Sequence, residues 1–180
     1  MKNLLRTWAA AALPIGLATL LTACQLATPM KGPGIDRSGR FATGKVGPQV
    51  YVGITNAVLG AADRSEFDRH TRRVVKSLPT QPGYVAHSVR TRIFGNEVWT
   101  MTIWDSDAAL TAFVRSPVHQ EAMREGISAV TTAKFDRFEW STDAPPPTWK
   151  FVLERLTFVK ETRYASPASP RKSEVSADGK

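Results

Sequence analysis

The chain is short of almost everything from which a metal or redox site is usually built. Of its 180 residues, one is cysteine and three are histidine. A single thiol forms no disulfide within the chain, so no disulfide framework holds the fold. His70, His87 and His119 are scattered, with no second cysteine and no paired carboxylates, and give no metal signature. The sequence has neither a Gly-x-Ser-x-Gly elbow nor a phosphate-binding glycine loop, since Gly32-Pro33-Gly34 follows no strand. No metal and no cofactor is therefore expected. An apolar run long enough to span a bilayer, about 20 residues, is missing as well. The stretch from Trp8 to Leu21 is too short and is broken by Pro14, Gly16 and Thr19.

What that short stretch offers instead is an export signal. Lys2 and Arg6 form a basic flank, the apolar stretch follows, and small residues close it. The closing Leu21-Thr22-Ala23-Cys24 resembles the lipobox of bacterial lipoproteins. The resemblance implies cleavage of a signal at 1–23 and lipidation of Cys24, the lone cysteine. A single acyl chain holds a protein marginally, whereas two or more hold it firmly. Gln25 follows, where an Asp would resemble an inner-membrane retention signal. The expected location is thus the bacterial cell envelope, on the periplasmic face of the outer membrane.

Charge is unevenly spread. The net charge is +8, and +6 once Lys2 and Arg6 leave with the signal. Between Gln49 and Lys160 there are 14 basic and 12 acidic side chains, so the excess lies mostly outside that region. A high isoelectric point alone suggests nucleic acid, but an exported location removes that partner, and none is expected. Attraction to anionic headgroups or simple solvation accounts for the rest.

Residues 24–48 are rich in Gly and Pro with little apolar pattern, which reads as a flexible tether roughly 25–30 Å from end to end. Residues 161–180 are rich in Ser, Pro and charge and read as a disordered tail. The interval 49–160 is enough for one domain with one core. Within it, Gln49–Leu59 is β-branched and strand-like. After the Asp63 cap, Phe67, Thr71, Val74, Val75 and Leu78 recur at helical spacing. Tyr84–Phe94 and Asn96–Trp104, joined by Gly95-Asn96, read as a hairpin. Leu110, Phe113 and Val114 form a second helical stripe that Pro117 interrupts and Val118, Ala122, Met123 and Ile127 continue. Thr131–Ser141 is strand-like, and Trp149, Val152, Leu153 and Leu156 return to helical spacing after Pro145-Pro146-Pro147. The expected fold is α+β, a ferredoxin-like βαββαβ domain with an added C-terminal helix.

The middle strand is apolar on both faces, with Trp99, Met101 and Ile103 on one and Val98 and Trp104 on the other. A ferredoxin-like sheet covers one face with its own helices, so a second copy packed sheet to sheet is expected on the other, the alternative being that the C-terminal helix or a loop covers it. Pro82-Gly83-Tyr84, Thr102-Ile103-Trp104, and Ser106-Asp107-Ala108-Ala109-Leu110 with Phe113, Ser116 and His119 resemble the antibiotic-biosynthesis monooxygenase superfamily. That resemblance implies a homodimeric α/β barrel with an apolar pocket between sheet and helices in each subunit. Enzymatic members oxidise polycyclic aromatics without metal or flavin, or degrade haem. The haem-degrading pattern of Asn, Trp and His maps onto Asn56, Phe113 and Met123, so the haem ligand is missing here.

Asn56 shares a strand face with Val52, Ile54 and Val58, and a buried amide must be hydrogen-bonded. His87 alternates with Val85 and Val89 and faces an apolar side; a satisfied core histidine is the ordinary outcome. His119 follows Pro117 at the start of a helical turn, where capping or exposure competes with a base role. His70, among Arg69, Arg72 and Arg73, reads as surface. The candidate catalytic residues are Asn56 and His119, and the candidate pocket residues are His87, Trp99, Trp104, Phe113 and Met123. Two activities fit: cofactor-independent oxygenation of a small apolar aromatic, or non-catalytic binding of a small apolar ligand at the envelope.

Overall fold

The computed structural model describes residues 25–60, 64–93 and 95–164. The expected signal, Cys24, the Asp63 cap and residues 165–180 lie outside them. Four long strands form the centre: β2 (Gln49–Leu59), β3 (Tyr84–Arg92), β4 (Glu97–Trp104) and β5 (Val130–Ser141). β2 pairs antiparallel with both β4 and β5, and β3 with β4, giving the order β3-β4-β2-β5. The helices α1 (Arg64–Ser77), α2 (Asp107–Val114) and α3 (Pro117–Gly126) cover one face of this sheet. This is the ferredoxin-like βαββαβ order, and α4 (Trp149–Leu156) is the added C-terminal helix.

Local chemistry sets the helix starts. Ser106 Oγ accepts from Ala109 N to cap α2, Ser116 Oγ accepts from His119 N to cap α3, and Thr148 Oγ1 accepts from Phe151 N to cap α4. Pro117 stands at the first position of α3, where its missing N–H costs nothing. The residue that breaks α2 therefore starts α3.

The expected tether is folded. β1 (Gln25–Ala27) pairs with the edge of β3, and from there the backbone stays bonded to it. Thr28 N donates to Val89 O at 2.8 Å, Lys31 N to His87 O at 3.0 Å and Gly34 N to Val85 O at 3.0 Å. Met30, Ile35, Phe41 and Val46 pack on the sheet. Their irregular spacing carries neither helical nor strand period, so the segment reads as linker although it lies as a strap. Gly32 is what lets it lie so close, since a Cβ there would meet Val85 O at 2.2 Å and Ala86 Cα at 2.5 Å. Gly32→Val is expected to destabilise the fold by about 1–3 kcal/mol, as overpacking does; a urea melt measures it. The expected tail likewise begins with order: β6 (Thr162–Arg163) pairs with β5.

The strap and α4 together close the second face of the sheet. Val152 and Leu156 of α4 are buried with Val50, Val52, Ile54, Trp99, Met101 and Ile103. Trp149 Nε1–H donates to Ser88 Oγ at 2.9 Å, and Ser88 Oγ–H donates to Thr28 O at 2.6 Å, linking α4, β3 and the strap. Lys134 Nζ donates to Leu156 O at the end of α4. Of the two covers expected for this face, the second copy gives way to the alternative, the C-terminal helix with a loop segment. With it falls the argument from exposed apolar surface for a second copy.

Candidate functional site

Between the sheet and α1–α3 lies a cavity of about 570 Å³, within the range of small-molecule sites. Gly53, Thr55, Thr100 and Thr102 line its sheet side, and Phe67, Val74, Leu110 and Met123 its helical side. The lining is mainly apolar with a few hydroxyls, the usual composition of a small-molecule site. Phe135 of β5, 45% exposed, also belongs to the lining and places part of the wall at the surface.

All three histidines of the chain line this one cavity. His87 reaches it from the regular part of β3, on the same face as Val89. A register shift between Tyr84 and Ala86 sends Val85 into the core on the strap side, while His87, opposite Thr102, faces the helices. The expected alternation of Val85 with His87 fails at that bulge. His87 Nδ1 is 2.5 Å from Tyr84 Oη, which also lies 3.1 Å from Lys31 O. Both contacts are hydrogen bonds at once when Nδ1–H donates to Oη and the phenol donates to the carbonyl. That tautomer leaves the Nε2 lone pair for a ligand. Burial, then the nearby Lys31 ammonium, pulls the His87 pKa down to about 4, and burial pushes the Tyr84 phenol up to about 12. Both groups are neutral at pH 7.

A buried imidazole that resists protonation makes stability depend on pH. The unfolded chain takes up the proton near pH 6.5 and the folded chain only near pH 4. This contribution is therefore fully present above pH 6.5 and is lost as pH falls toward 4. Between pH 7 and pH 5 the native protein is expected to lose about 2 kcal/mol more than His87→Gln. Urea melts of both at the two pH values measure the difference.

His119 is held by α2. Its ring nitrogen Nδ1 is 3.1 Å from Val114 O, so Nδ1–H donates and Nε2 again keeps its lone pair. Its ring meets Phe113 edge-on at 5.0 Å. Burial lowers its pKa, opposed by the bond to Val114 O, which favours the cation. His70 is 3% exposed rather than a surface residue. Its Nδ1 approaches Glu125 Oε2 at 3.2 Å without hydrogen-bond geometry. The arginines around it mask the signal, but position 70 falls on the stripe of Phe67, Thr71 and Val74, and that spacing identifies it.

The remaining candidates divide. Phe113 and Met123 line the cavity. Trp104 is fully buried behind Phe113, stacked at 4.7 Å, with its Nε1–H donating to Thr102 Oγ1, and does not itself line the cavity. Trp99 and Asn56 face the other way. They stand opposite each other on the strap side of the sheet. Arg90 lies over the Trp99 ring at 5.8 Å, and Asn56 Nδ2 donates to Glu97 Oε1 at 3.2 Å. Strand alternation made this legible: Asn56 shares the face of Val52 and Ile54, and that face packs on α4 rather than on the pocket. Among the described residues, no group of three or more His, Cys, Asp or Glu side chains is arranged to hold a metal ion.

Fold and site together define an α+β ferredoxin-like domain with a small-molecule cavity between its sheet and its helices. Residues 59–125, which include all three histidines, match the model of the antibiotic biosynthesis monooxygenase family. No curated protein matches the sequence. Among solved structures, it is similar to SnoaB, a cofactor-independent oxygenase from Streptomyces nogalater, at 18% identity over 57% of this chain and 100% of that one, with a TM-score of 0.43. A protein of Lactobacillus acidophilus NCFM matches at 18% identity and TM-score 0.46, over 54% of this chain and 50% of its own. This chain thus spans half the length of that relative. A protein of Shewanella oneidensis matches at 10% identity and TM-score 0.48, over 53% and 95%.

Proposed function

We propose that the domain is a cofactor-independent oxygenase acting on a small apolar aromatic that carries ionisable hydroxyls. The observation that carries this reading is the pair of neutral imidazoles, His87 and His119, in the wall of one apolar cavity. Each has its Nδ1 engaged and its Nε2 lone pair left for a ligand. His119 is the proton acceptor and His87 holds a second hydroxyl. Removal of the substrate proton gives a delocalised carbanion that reduces dioxygen directly. One oxygen atom enters the ring carbon, the other leaves as water, and the substrate carbon is oxidised to a carbonyl. The mainly apolar lining favours this chemistry because few polar groups compete for the aromatic anion. Residues 1–24 support a second part of the proposal, that the domain works at the bacterial envelope with lipid on Cys24.

The test is oxygen uptake with a dihydroxyanthracene-type substrate and no added metal or flavin. Uptake with formation of the carbonyl product supports the proposal, and Asn56→Ala is expected to retain the native rate. No uptake by the native protein overturns it.

A further inference from the structure

The residue proposed to carry lipid, Cys24, immediately precedes in sequence the first described strand. Strand β1 starts at Gln25, opposite Arg92, and Thr28 is bonded to β3 by Thr28 N and Oγ1 to Val89 O, Val89 N to Thr28 Oγ1 and Ser88 Oγ to Thr28 O. Consecutive Cα atoms are about 3.8 Å apart, so a lipid attached one residue before Gln25 starts within about one residue's length of the corner where β1 meets the end of β3. That corner is apolar on its outside. Leu26 stands opposite Thr91, and Ile93 lies two residues further along the same face; they are 61% and 50% exposed. Beside them Arg64 donates to Gly95 O and Thr91 Oγ1 and pairs with Asp68, and Arg92 pairs with Glu97.

We infer that this corner is a bilayer-docking surface. Leu26 and Ile93 enter the headgroup region next to the acyl chains, and Arg64 and Arg92 lie at the level of the phosphates. The inference rests on the lipidation of Cys24 and adds a fixed orientation: the domain lies on the membrane by one end of its sheet. The opposite end, where Gln49 pairs with Ser141, points away by roughly the 30 Å length of a nine-residue strand.

Lipidation consumes the only thiol of the chain. Ile93→Cys or Asp143→Cys therefore gives the processed full chain a single site for a spin label. Each is reconstituted in vesicles of phosphatidylethanolamine and phosphatidylglycerol, and its accessibility to oxygen and to a water-soluble nickel chelate is compared. The expected result is a several-fold higher oxygen-to-nickel ratio at position 93 than at 143, lost when the vesicles are dissolved in detergent. Equal ratios in protein that floats with the vesicles overturn the docking surface and leave the anchor standing. Protein that fails to float overturns the anchor, and the docking surface with it.

Discussion

Replacing His119 by glutamine is expected to lower kcat for oxygen uptake by about 100-fold or more, the usual contribution of a positioned proton acceptor. Glutamine still donates an N–H toward Val114 O, so α2 and α3 keep their junction, but it presents no lone pair basic enough to take a proton. KM is expected to change little, because the apolar walls of Phe67, Val74 and Leu110 supply the binding. The pH–rate profile separates this role from a structural one. The native acid limb, set by an imidazole whose pKa burial lowers, disappears in the variant. His87→Gln removes an acceptor that orients rather than titrates, and is expected to raise KM as well as lower kcat. An unchanged kcat in His119→Gln contradicts the assignment.

The second large effect concerns the closure of the sheet. Val152 is fully buried against Val50, Val52, Trp99, Met101 and Ile103. An aspartate at this position places an unpaired carboxylate in that core, and Val152→Asp is expected to cost about 4 kcal/mol or more. Phe158→Asp is the reference, since Phe158 is 91% exposed and just beyond the same helix; it is expected to lie within about 0.5 kcal/mol of native. Urea unfolding of the chain lacking residues 1–24 compares them. Equal stabilities would mean that α4 does not seat on the sheet.

The same face explains where sequence reasoning reached its limit. The strands were legible because β-branched residues alternate in Gln49–Leu59 and Gly95-Asn96 marks the hairpin turn, and the helices because Phe67 to Leu78 and Leu110 to Val114 repeat at helical spacing. The doubled apolar character of Glu97–Trp104 was legible too, and it does mean that both faces are buried. What periodicity does not carry is the identity of the cover. Met30, Ile35, Phe41 and Val46 lie in a strap held by backbone bonds to Val85, His87 and Val89, and such bonds leave no side-chain signature. The lining of the candidate cavity was half legible. His87, His119, Phe113 and Met123 line the cavity, while Asn56 and Trp99 belong to the closed face and Trp104 stands behind Phe113. His70 was hidden by its charged neighbours. The bulge at Tyr84/Ala86 moves Val85 but leaves His87 on the helical side, a rearrangement no alternation rule predicts.

The proposed activity depends on the cavity under α1–α3 binding the aromatic by its apolar walls with its hydroxyls set against His119 and His87. The most direct measurement is a crystal structure of the domain soaked anaerobically with a dihydroxyanthracene-type compound. The prediction is a ring system between Thr100 and Met123 with hydroxyl oxygens about 3 Å from Nε2 of His119 and of His87. An empty cavity at saturating compound, or a ring seated on the strap side near Asn56, would contradict it.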